Sequence, residues 1–372
     1  MPRIDESTFT IVSNGHVDGP AHAFRDHLVA REAVRVRTIF HPLLPDEGGL
    51  HEVAVWERGV RRRVRRVRLP SRPPLTYPLD VLVPARVPRA DAWFGFNALA
   101  CLSGLVPRRA DTVVYWCVDY VEERFGPGLL TRGFNAIDGY CCRRADARFE
   151  LSEHARLARD RRHRGKALAP AHIVPMGAWL DRVPTTPEGG QAARRVVFLG
   201  HLVERQGVAT LLAALAVLDE RVSADVIGRG PMLEPLREEA ARLGIAERVT
   251  FHGFVPRHED VEGILAAGSV GVAPYTRGSF TQFADPGKLK SYLAAGLPIV
   301  TTAVPPNASE LQDAGAAILV DGSPEELAGA IERLLDAPDE WRTRRAAALR
   351  HARRYDWPVI FDDALARVGF VS

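Results

Sequence analysis

The chain has 372 residues, of which 46% are apolar and 26% are charged, and this composition is typical of a soluble globular protein. Its length favours two domains over a single core. No run of apolar residues approaches the roughly 20 that a membrane-spanning helix needs, and the first ten residues lack the pattern of a secretion signal. We therefore expect a cytoplasmic protein.

Basic residues are concentrated in the first half of the chain. Residues 1–186 contain 29 Lys and Arg against 21 Asp and Glu, whereas residues 187–372 contain 20 against 25. Much of the excess comes from residues 58–68, RGVRRRVRRVR, which predict a solvated edge strand. The same charges would also favour an anionic acceptor or peripheral contact with the anionic inner face of a membrane. Nucleic acid is not expected as a partner, because no aromatic stacking residues accompany the run.

The four cysteines all lie in the first half, and their spacing fits neither a metal site nor a disulfide framework. They are Cys101, Cys117, Cys141 and Cys142. Such cysteines are typical of buried thiols in a reducing compartment. The sequence therefore predicts no metal site and no cofactor.

The first candidate ligand loop, NGHVDGP, follows a strand predicted over residues 9–13 and precedes a helix predicted over residues 21–31. A glycine-rich turn in this position faces the ligand in a Rossmann-like domain. Asn14, His16 and Asp18 are thus candidates for contacting a substrate. Ordinary turn chemistry explains Asn14 and Asp18 equally well.

A second candidate follows the strand predicted over residues 113–118, which is apolar without alternation, as a strand covered on both faces should be. Asp119 comes at the carboxyl end of this strand, where ligands of open parallel sheets bind, so it is a candidate functional carboxylate. The alternative is a helix N-cap for the segment after it. Asn97 follows a shorter strand and loop, and we group it with Asn14 and Asp18 as a candidate for contacting a substrate.

The second half alternates strands and helices regularly after a linker rich in Pro, Gly and Thr at residues 181–193. Strands are predicted over residues 195–199, 223–227, 249–254 and 269–275. This alternation predicts a parallel, doubly wound α/β domain.

The stretch FADPGKLKSYLAAGLPIVTT, residues 283–302, predicts a nucleotide site at the edge of that domain. Residues 285–287 predict a turn that opens a short helix, which Gly296 ends in a left-handed conformation. The unpaired N–H groups of a helix start suit a diphosphate, and Lys288, one of three lysines among 49 basic residues, lies in the first turn. A solvated helix start with incidental charges is the alternative.

The order of these segments resembles that of GT-B glycosyltransferases of the group 1 type, also called family 4. After a divergent first domain come GHLVERQGV, GRGP, HGFV, VAPY and the stretch 283–302, and a last helix begins near residues 356–357. The resemblance implies an α/β fold of two Rossmann-like domains with parallel sheets facing across a cleft. It implies an N-terminal acceptor-side domain over residues 1–186, a C-terminal nucleotide-sugar domain over 187–350, and a helix within 351–372 that packs back on the N-terminal domain.

The same resemblance implies which residues hold the nucleotide-sugar. They are Gly200, His201, Gly228, Gly230, Phe254, Tyr275, Asp285, Pro286, Gly287 and Lys288.

Two departures from the family concern the residues that retaining enzymes use. His201 and Gln206 stand where those enzymes carry Arg and Lys, and Phe283 and Ser291 stand where they carry a pair of glutamates. The retaining machinery is therefore expected to be absent.

The segments YWCVD at 115–119, APY at 273–275 and the motif around Lys288 resemble instead the inverting glucuronosyltransferase of xanthan assembly. By that likeness Asp119 is the general base, while Tyr275 and Lys288 hold UDP. His16 and His22 are the reserve candidates for the base.

The predicted function is a glycosyltransferase that moves a hexosyl or glucuronosyl group from a UDP-sugar, its co-substrate, in glycan or specialised-metabolite biosynthesis. The acceptor would be a small molecule or a lipid-linked glycan. Two alternatives stay open: an enzyme such as a UDP-sugar 2-epimerase that transforms the donor without transfer, and a catalytically silent scaffold.

Overall fold

The computed structural model describes residues 2–14, 19–41, 50–68, 77–277 and 283–371. The chain forms two compact units: an N-terminal unit of Met1–Pro175 with Trp357–Ser372, and a C-terminal unit of Met176–Asp356. Among the described residues, every helix is too short or too polar to span a bilayer.

The N-terminal unit is built on one eight-stranded sheet. Its strands are β1 (Thr8–Asn14), β2 (Arg35–His41), β3 (Leu50–Glu57), β4 (Val60–Arg68), β5 (Ala90–Phe96), β6 (Ala110–Cys117), β7 (Ala147–Glu150) and β8 (Ala171–Ile173). They lie in the order β4-β3-β2-β1-β5-β6-β7-β8. The helices are α1 (Pro20–Ala30), α2 (Tyr77–Leu82), α3 (Ala98–Leu105), α4 (Leu129–Arg144) and α5 (Glu153–Arg162).

Strand direction divides this sheet into two parts. The strands β1, β2 and β5 to β8 pair in parallel, whereas β3 and β4 form an antiparallel hairpin with Glu57 opposite Val60. All nine residues of the edge strand β4 are exposed, and six of them are arginines. The solvated edge strand predicted from residues 58–68 is confirmed.

The C-terminal unit is a smaller doubly wound sheet in which every strand pair is parallel. Its strands are β9 (Arg195–Leu199), β10 (Ser223–Ile227), β11 (Val249–Gly253), β12 (Val270–Ala273), β13 (Ile299–Thr302) and β14 (Ala317–Val320), in the order β11-β10-β9-β12-β13-β14. The helices are α6 (Val208–Val217), α7 (Leu233–Arg242), α8 (His258–Ala266), α9 (Gly287–Ala295), α10 (Ala308–Asp313), α11 (Pro324–Asp336) and α12 (Pro338–Ala352). The strand β14 and helix α10 had no counterpart in the sequence prediction.

The core of the C-terminal unit lies between the sheet and its helices. Phe198 and Val226 on the strands, Leu211 on α6 and Ile331 on α11 are fully buried. These strands carry apolar residues on both faces, which is the pattern that two helical layers over a parallel sheet require.

The last helix, α13 (Trp357–Arg367), belongs to the N-terminal unit. Phe361 packs against Phe24 of α1 with ring centroids 5.2 Å apart, and a side-chain hydrogen bond of 2.9 Å joins His27 to Asp362. The end of the chain also pairs with its beginning, because the Ile4 N–H donates to the Val371 carbonyl at 2.9 Å.

The division between the units falls earlier than residues 186 and 187, where the sequence placed it. The Met176 N–H donates to Asp285 Oδ2 at 2.6 Å, and the Thr186 N–H donates to the Ala295 carbonyl at 2.8 Å. Residues 176–186 are therefore fixed to the C-terminal unit, and the Pro- and Gly-rich segment is a loop of that unit. Residues 351–356 also belong to the C-terminal unit, since the Ala178 N–H donates to the Tyr355 carbonyl.

Candidate functional site

The candidate nucleotide site lies where the strand order of the C-terminal sheet reverses. The chain leaves β9 and β12, which are neighbours, toward opposite sides of the sheet, and such a switch point opens a crevice at the carboxyl ends of the strands. The loops that follow the strands are tied together there. The Leu202 N–H donates to the Arg229 carbonyl at 2.8 Å, and the Thr276 N–H donates to the Arg205 carbonyl at 3.1 Å.

Glycines at this edge allow the loops to contact one another. A Cβ atom on Gly228, at φ +144°, would lie 1.8 Å from the Gly200 carbonyl oxygen, and one on Gly230 would lie 2.2 Å from that of Leu202. Both glycines were expected to let the backbone approach a nucleotide. Their close contacts are instead with the loop after β9, so their geometry shows a packing role.

The ammonium of Lys288 is the most distinctive group at this edge. The residue is only 9% exposed, its Nζ donates to Gln206 Oε1 at 2.6 Å, and it lies 4.0 Å from the Phe198 ring centroid and 4.9 Å from that of Tyr275. Within the described part of the chain, no carboxylate forms an ion pair with it. Burial lowers the pKa of the Lys288 ammonium well below its ordinary value.

Lys288 also faces the loop after β9. A Cβ atom built on Gly200, at φ +145°, would lie 2.7 Å from Lys288 Nζ. Any larger residue at position 200 would therefore displace the ammonium. The hydrogen bond to Gln206 uses one of the three N–H groups of the Lys288 ammonium, and an anionic ligand would supply acceptors for the other two.

Tyr292, one turn after Lys288 on α9, holds this helix against the switch point. Its hydroxyl accepts from the Leu199 N–H at 2.8 Å and donates to the Val272 carbonyl at 3.2 Å, so it joins α9 to both β9 and β12. The helix ends at Gly296, whose φ is +72°. The predicted left-handed end is confirmed.

Asp285 has an internal role that the sequence did not indicate. Its Oδ2 accepts from the Met176 N–H, and its Oδ1 accepts from the fully buried Nζ of Lys290. Both carboxylate oxygens are thus occupied within the unit, and the expectation that Asp285 contacts a nucleotide-sugar finds no support in this geometry. The ion pair with Lys290 explains one of the two lysines in the motif.

Pro286 and Gly287 form the start of α9. Pro286 is the N-cap residue and its side chain makes no capping hydrogen bond. Among the described residues within 4 Å, a Cβ atom on Gly287 would meet only Met176 Cε, at 3.8 Å. The N-terminal amides of this nine-residue helix lie next to Lys288, and the one at Leu289 donates to the Pro286 carbonyl at 3.2 Å.

The remaining predicted nucleotide-sugar residues differ widely in exposure. Tyr275 is 5% exposed, and burial raises the pKa of its hydroxyl. Phe254 is 61% exposed, with the Arg229 guanidinium 4.7 Å from its ring centroid, and His201 is exposed as well. Tyr275 thus packs beside Lys288, whereas Phe254 presents an exposed ring just after β11.

Sequence reasoning did not assign Gln206 and Phe198 to this site. Gln206 was noted only as a departure from the family's lysine, yet it is the acceptor for Lys288. Gln206 in place of the family's lysine, together with Lys288 in a chain of only three lysines, is the signal that could have linked the two positions.

Asp119 lies in the N-terminal unit, directly after β6. Its Oδ1 accepts from Arg124, its carbonyl accepts from Arg159 at 3.0 Å, and its side chain is 31% exposed. No helix begins until Leu129, so the N-cap alternative is wrong. Within the described residues the hydrogen bond to Arg124 engages Oδ1 alone, which leaves Oδ2 as an acceptor.

The side chains of Asn14 and Asn97 bind to each other at the carboxyl edge of the same sheet. Asn97 Nδ2 donates to Asn14 Oδ1 at 2.8 Å, and Asn14 Nδ2 donates to Asp80 Oδ2 at 2.6 Å. Asn97 Oδ1 also accepts from the Ala100 N–H and so caps α3. These contacts give both residues internal roles.

The other first-loop candidates divide into described and undescribed residues. His16 and Asp18 lie outside the described residues. His22 is 9% exposed and stacks on Phe40 with ring centroids 3.9 Å apart, and burial lowers its pKa to about 3. His22 is therefore a core residue rather than a base facing substrate.

Part of the chain is similar in sequence to one family of known proteins. Residues 193–337 match the family model described as glycosyl transferases group 1. The D-inositol 3-phosphate glycosyltransferase of Streptomyces griseus is 32% identical over 225 residues, which cover 51% of this chain and 46% of that protein. The GDP-mannose-dependent alpha-(1-6)-phosphatidylinositol dimannoside mannosyltransferase of Mycobacterium tuberculosis is 31% identical over 183 residues, which cover 48% of this chain and 44% of that protein. The chain spans about half the length of the curated relatives it matches.

Solved structures match nearly the whole chain at low identity. Sucrose-phosphate synthase from Thermosynechococcus elongatus has a TM-score of 0.73 and 17% identity, with 98% of each chain covered. Anabaena HepE in complex with UDP-glucose has a TM-score of 0.72 and 16% identity, with 98% of this chain and 99% of that chain covered. These structures confirm the predicted GT-B fold class. The finer resemblance to the xanthan glucuronosyltransferase stays a prediction.

Proposed function

We propose that the chain is a glycosyltransferase with a nucleoside-diphosphate sugar as donor. The match of residues 193–337 to the group 1 family model and the GT-B fold support this proposal. The observation that carries the proposal is the buried Lys288 ammonium in the first turn of α9. A diphosphate placed there would accept hydrogen bonds from Nζ and from the helix amides, and its charge would compensate the unpaired cation.

We propose UDP as the nucleotide. Anabaena HepE, a fold neighbour, was solved with UDP-glucose, whereas the mycobacterial relative named above is GDP-mannose-dependent. The exposed Phe254, just after β11, and the exposed Arg229, in the loop after β10, would stack on the base. Calorimetric titration with UDP and with GDP separates the two nucleotides, because the proposal requires tighter binding of UDP.

The proposed reaction inverts the configuration at the anomeric carbon. An acceptor hydroxyl attacks C1 of the sugar, the bond from C1 to the diphosphate oxygen breaks, and Asp119 Oδ2 takes the hydroxyl proton. Lys288 and the α9 amides stabilise the negative charge that develops on the departing nucleoside diphosphate. Phe283 and Ser291, in place of the paired glutamates of retaining relatives, favour this course.

The acceptor is proposed to be anionic or carried on an anionic membrane. The names of two relatives include D-inositol 3-phosphate and phosphatidylinositol, and the edge strand β4 carries Arg61, Arg63 and Arg65, all of which are exposed. The protein should therefore co-sediment with phosphatidylinositol vesicles at low salt and lose this binding as salt shortens the screening length to about 8 Å. Equal binding by a variant with these three arginines changed to Gln would leave β4 as a solvated edge only.

One assay separates transfer from the two alternative functions. UDP-glucose and GDP-mannose are incubated with and without D-inositol 3-phosphate or phosphatidylinositol vesicles, and the sugars and nucleotides are quantified. Transfer requires nucleotide release that depends on acceptor. Conversion of the donor to its epimer without an acceptor would indicate an epimerase, and an intact donor that binds but never reacts would indicate a silent scaffold.

A further inference from the structure

A second cluster of reactive side chains lies at the edge of the N-terminal sheet, where the glycosyltransferase proposal assigns no role. It consists of His41 at the end of β2, His51 on the neighbouring strand β3, and Asp80 on α2. We propose that these three residues bind one divalent transition-metal ion, with Zn²⁺ the best chemical fit. Two imidazoles and one carboxylate form a ligand set that suits Zn²⁺ and leaves a fourth position for water or an acceptor oxygen.

The distances within the cluster are close to those of a metal site. His41 Nδ1 lies 2.8 Å from His51 Nδ1 and 3.6 Å from Asp80 Oδ1, and one ligand atom from each residue lies within 4.8 Å of the others. Zn–N bonds of about 2.0–2.1 Å in a tetrahedral site place two nitrogens about 3.3 Å apart. The two rings would therefore need to move apart by only about 0.5 Å to admit the ion.

Burial favours metal ligands over solvated side chains in this cluster. His41 is 1% exposed and Asp80 is 4% exposed. A carboxylate and an imidazole that are both removed from water need a partner that compensates their charge and lone pairs. A metal ion bound to Asp80 Oδ1 and to the Nδ1 atoms of the two histidines would supply it.

Asp80 is held in place by two asparagines. Asn14 Nδ2 binds Asp80 Oδ2 at 2.6 Å, and Asn97 Nδ2 in turn binds Asn14 Oδ1. These two hydrogen bonds engage Asp80 Oδ2 and leave Asp80 Oδ1 directed at His41. Hydrogen bonds that fix a ligating carboxylate in this way are typical of metal sites, so Asn14 and Asn97 are positioning residues here.

A similar cluster in the same unit shows the contrast. Asp138, Cys142 and His163 also bring ligand atoms within 4.8 Å of one another. Asp138 Oδ1, however, accepts from the Tyr115 hydroxyl at 2.6 Å, and its Oδ2 contacts His163 Nε2 at 3.0 Å. Its oxygens are already bonded, so this cluster carries no corresponding proposal.

The test is metal binding by the full chain, which is independent of any transferase activity. Protein stripped with EDTA is titrated with ZnCl₂, and we expect one ion per chain with loss of that binding in His51→Ala. Asn14→Ala should weaken the affinity about 10- to 100-fold, as changes in supporting residues of metal sites do. His154→Ala, which changes an exposed histidine on α5, is the matched control and should bind as the unaltered protein does.

Co²⁺ supplies a spectroscopic readout that a merely structural role would not produce. A tetrahedral site should give intense visible absorption bands that Zn²⁺ removes, and His51→Ala should lack them. At a free Zn²⁺ concentration 100 times its dissociation constant, the unfolding equilibrium of the unaltered protein should shift about 100-fold toward the folded state. Zn²⁺ binding of equal affinity in His51→Ala would place the ion elsewhere, and absence of Zn²⁺ binding to the unaltered chain would leave the histidines as a core pair; either result overturns the proposal.

Discussion

Replacement of Lys288 by Met separates a ligand-binding lysine from a structural one. Met keeps an unbranched side chain of similar length against Phe198 and Tyr275 but removes the ammonium. A hydrogen bond to a charged group contributes about 1.5–3 kcal/mol, so UDP should bind about 10- to 150-fold more weakly. Calorimetric titration measures this change, and Lys166→Met, at an exposed lysine of the N-terminal unit, is the matched control that should leave the affinity unchanged.

The stability of the Lys288→Met protein without nucleotide should change little. The substitution removes the desolvation cost of a buried cation, which stabilises the fold, and it removes the donor to Gln206 Oε1, which destabilises it. These effects oppose each other, and we expect a change of less than about 1 kcal/mol in the free energy of unfolding by urea. A loss of more than about 2 kcal/mol with unchanged UDP affinity would show that Lys288 is structural and would refute the placement of the diphosphate.

The pH dependence follows from the direction of the pKa shift. Burial lowers the pKa of Lys288 from 10.5, so between its folded and unfolded pKa values the unfolded chain binds more protons. The stability of the free protein should therefore rise with pH in that window, and this rise should be absent in Lys288→Met. UDP affinity should fall over the same window, because the neutral amine no longer attracts the diphosphate. A UDP affinity with the same pH profile in both proteins would contradict this reasoning.

Three further predictions concern single residues. Asp119→Asn should lower turnover by about two to four orders of magnitude in a steady-state transfer assay while UDP affinity stays the same, and retention of most activity would remove Asp119 as the base. Tyr292→Phe leaves the Leu199 N–H without its acceptor, so urea unfolding should show a loss of about 1–3 kcal/mol, and an unchanged midpoint would contradict the anchoring role. The pKa of His22 is about 3 in the folded protein against 6.5 in the unfolded chain, so the protein should lose stability as pH falls from 6.5 toward 3. His22→Phe should remove up to about 1.4 kcal/mol per pH unit of that loss. Identical profiles of stability against pH in the two proteins would refute this prediction.

Local sequence patterns were sufficient to predict much of the fold. Four of the six strands of the C-terminal unit, β9 to β12, end in glycine or directly precede glycine or proline. Gly296 marked the end of α9 because only a residue tolerant of positive φ fits there. The exposed edge strand β4 was evident from its arginines. Each of these features depends on residues that are close together in the chain.

Contacts between distant residues could not be predicted in this way. Lys288 and Gln206 are 82 residues apart, Asp285 and Met176 are 109 apart, and Asn14 and Asp80 are 66 apart. No periodicity or spacing reports such a pairing. The sequence therefore identified the loops that form the edges of the sheets but assigned Asp285 to the ligand, and it gave no indication of how Asp80 and the two histidines are brought together.

The most direct test of the nucleotide site uses a reactive analogue of the donor, uridine 5′-diphosphopyridoxal. Its aldehyde occupies the place of the sugar next to the diphosphate, condenses with a nearby neutral amine to an imine with loss of water, and is fixed by borohydride reduction. Because the chain has only three lysines, peptide mass spectrometry identifies the labelled one without ambiguity. The account predicts a label on Lys288 that excess UDP prevents, since burial lowers the pKa of that amine. Labelling of Lys166 or Lys290 instead, or labelling of Lys288 that UDP does not reduce, would contradict it.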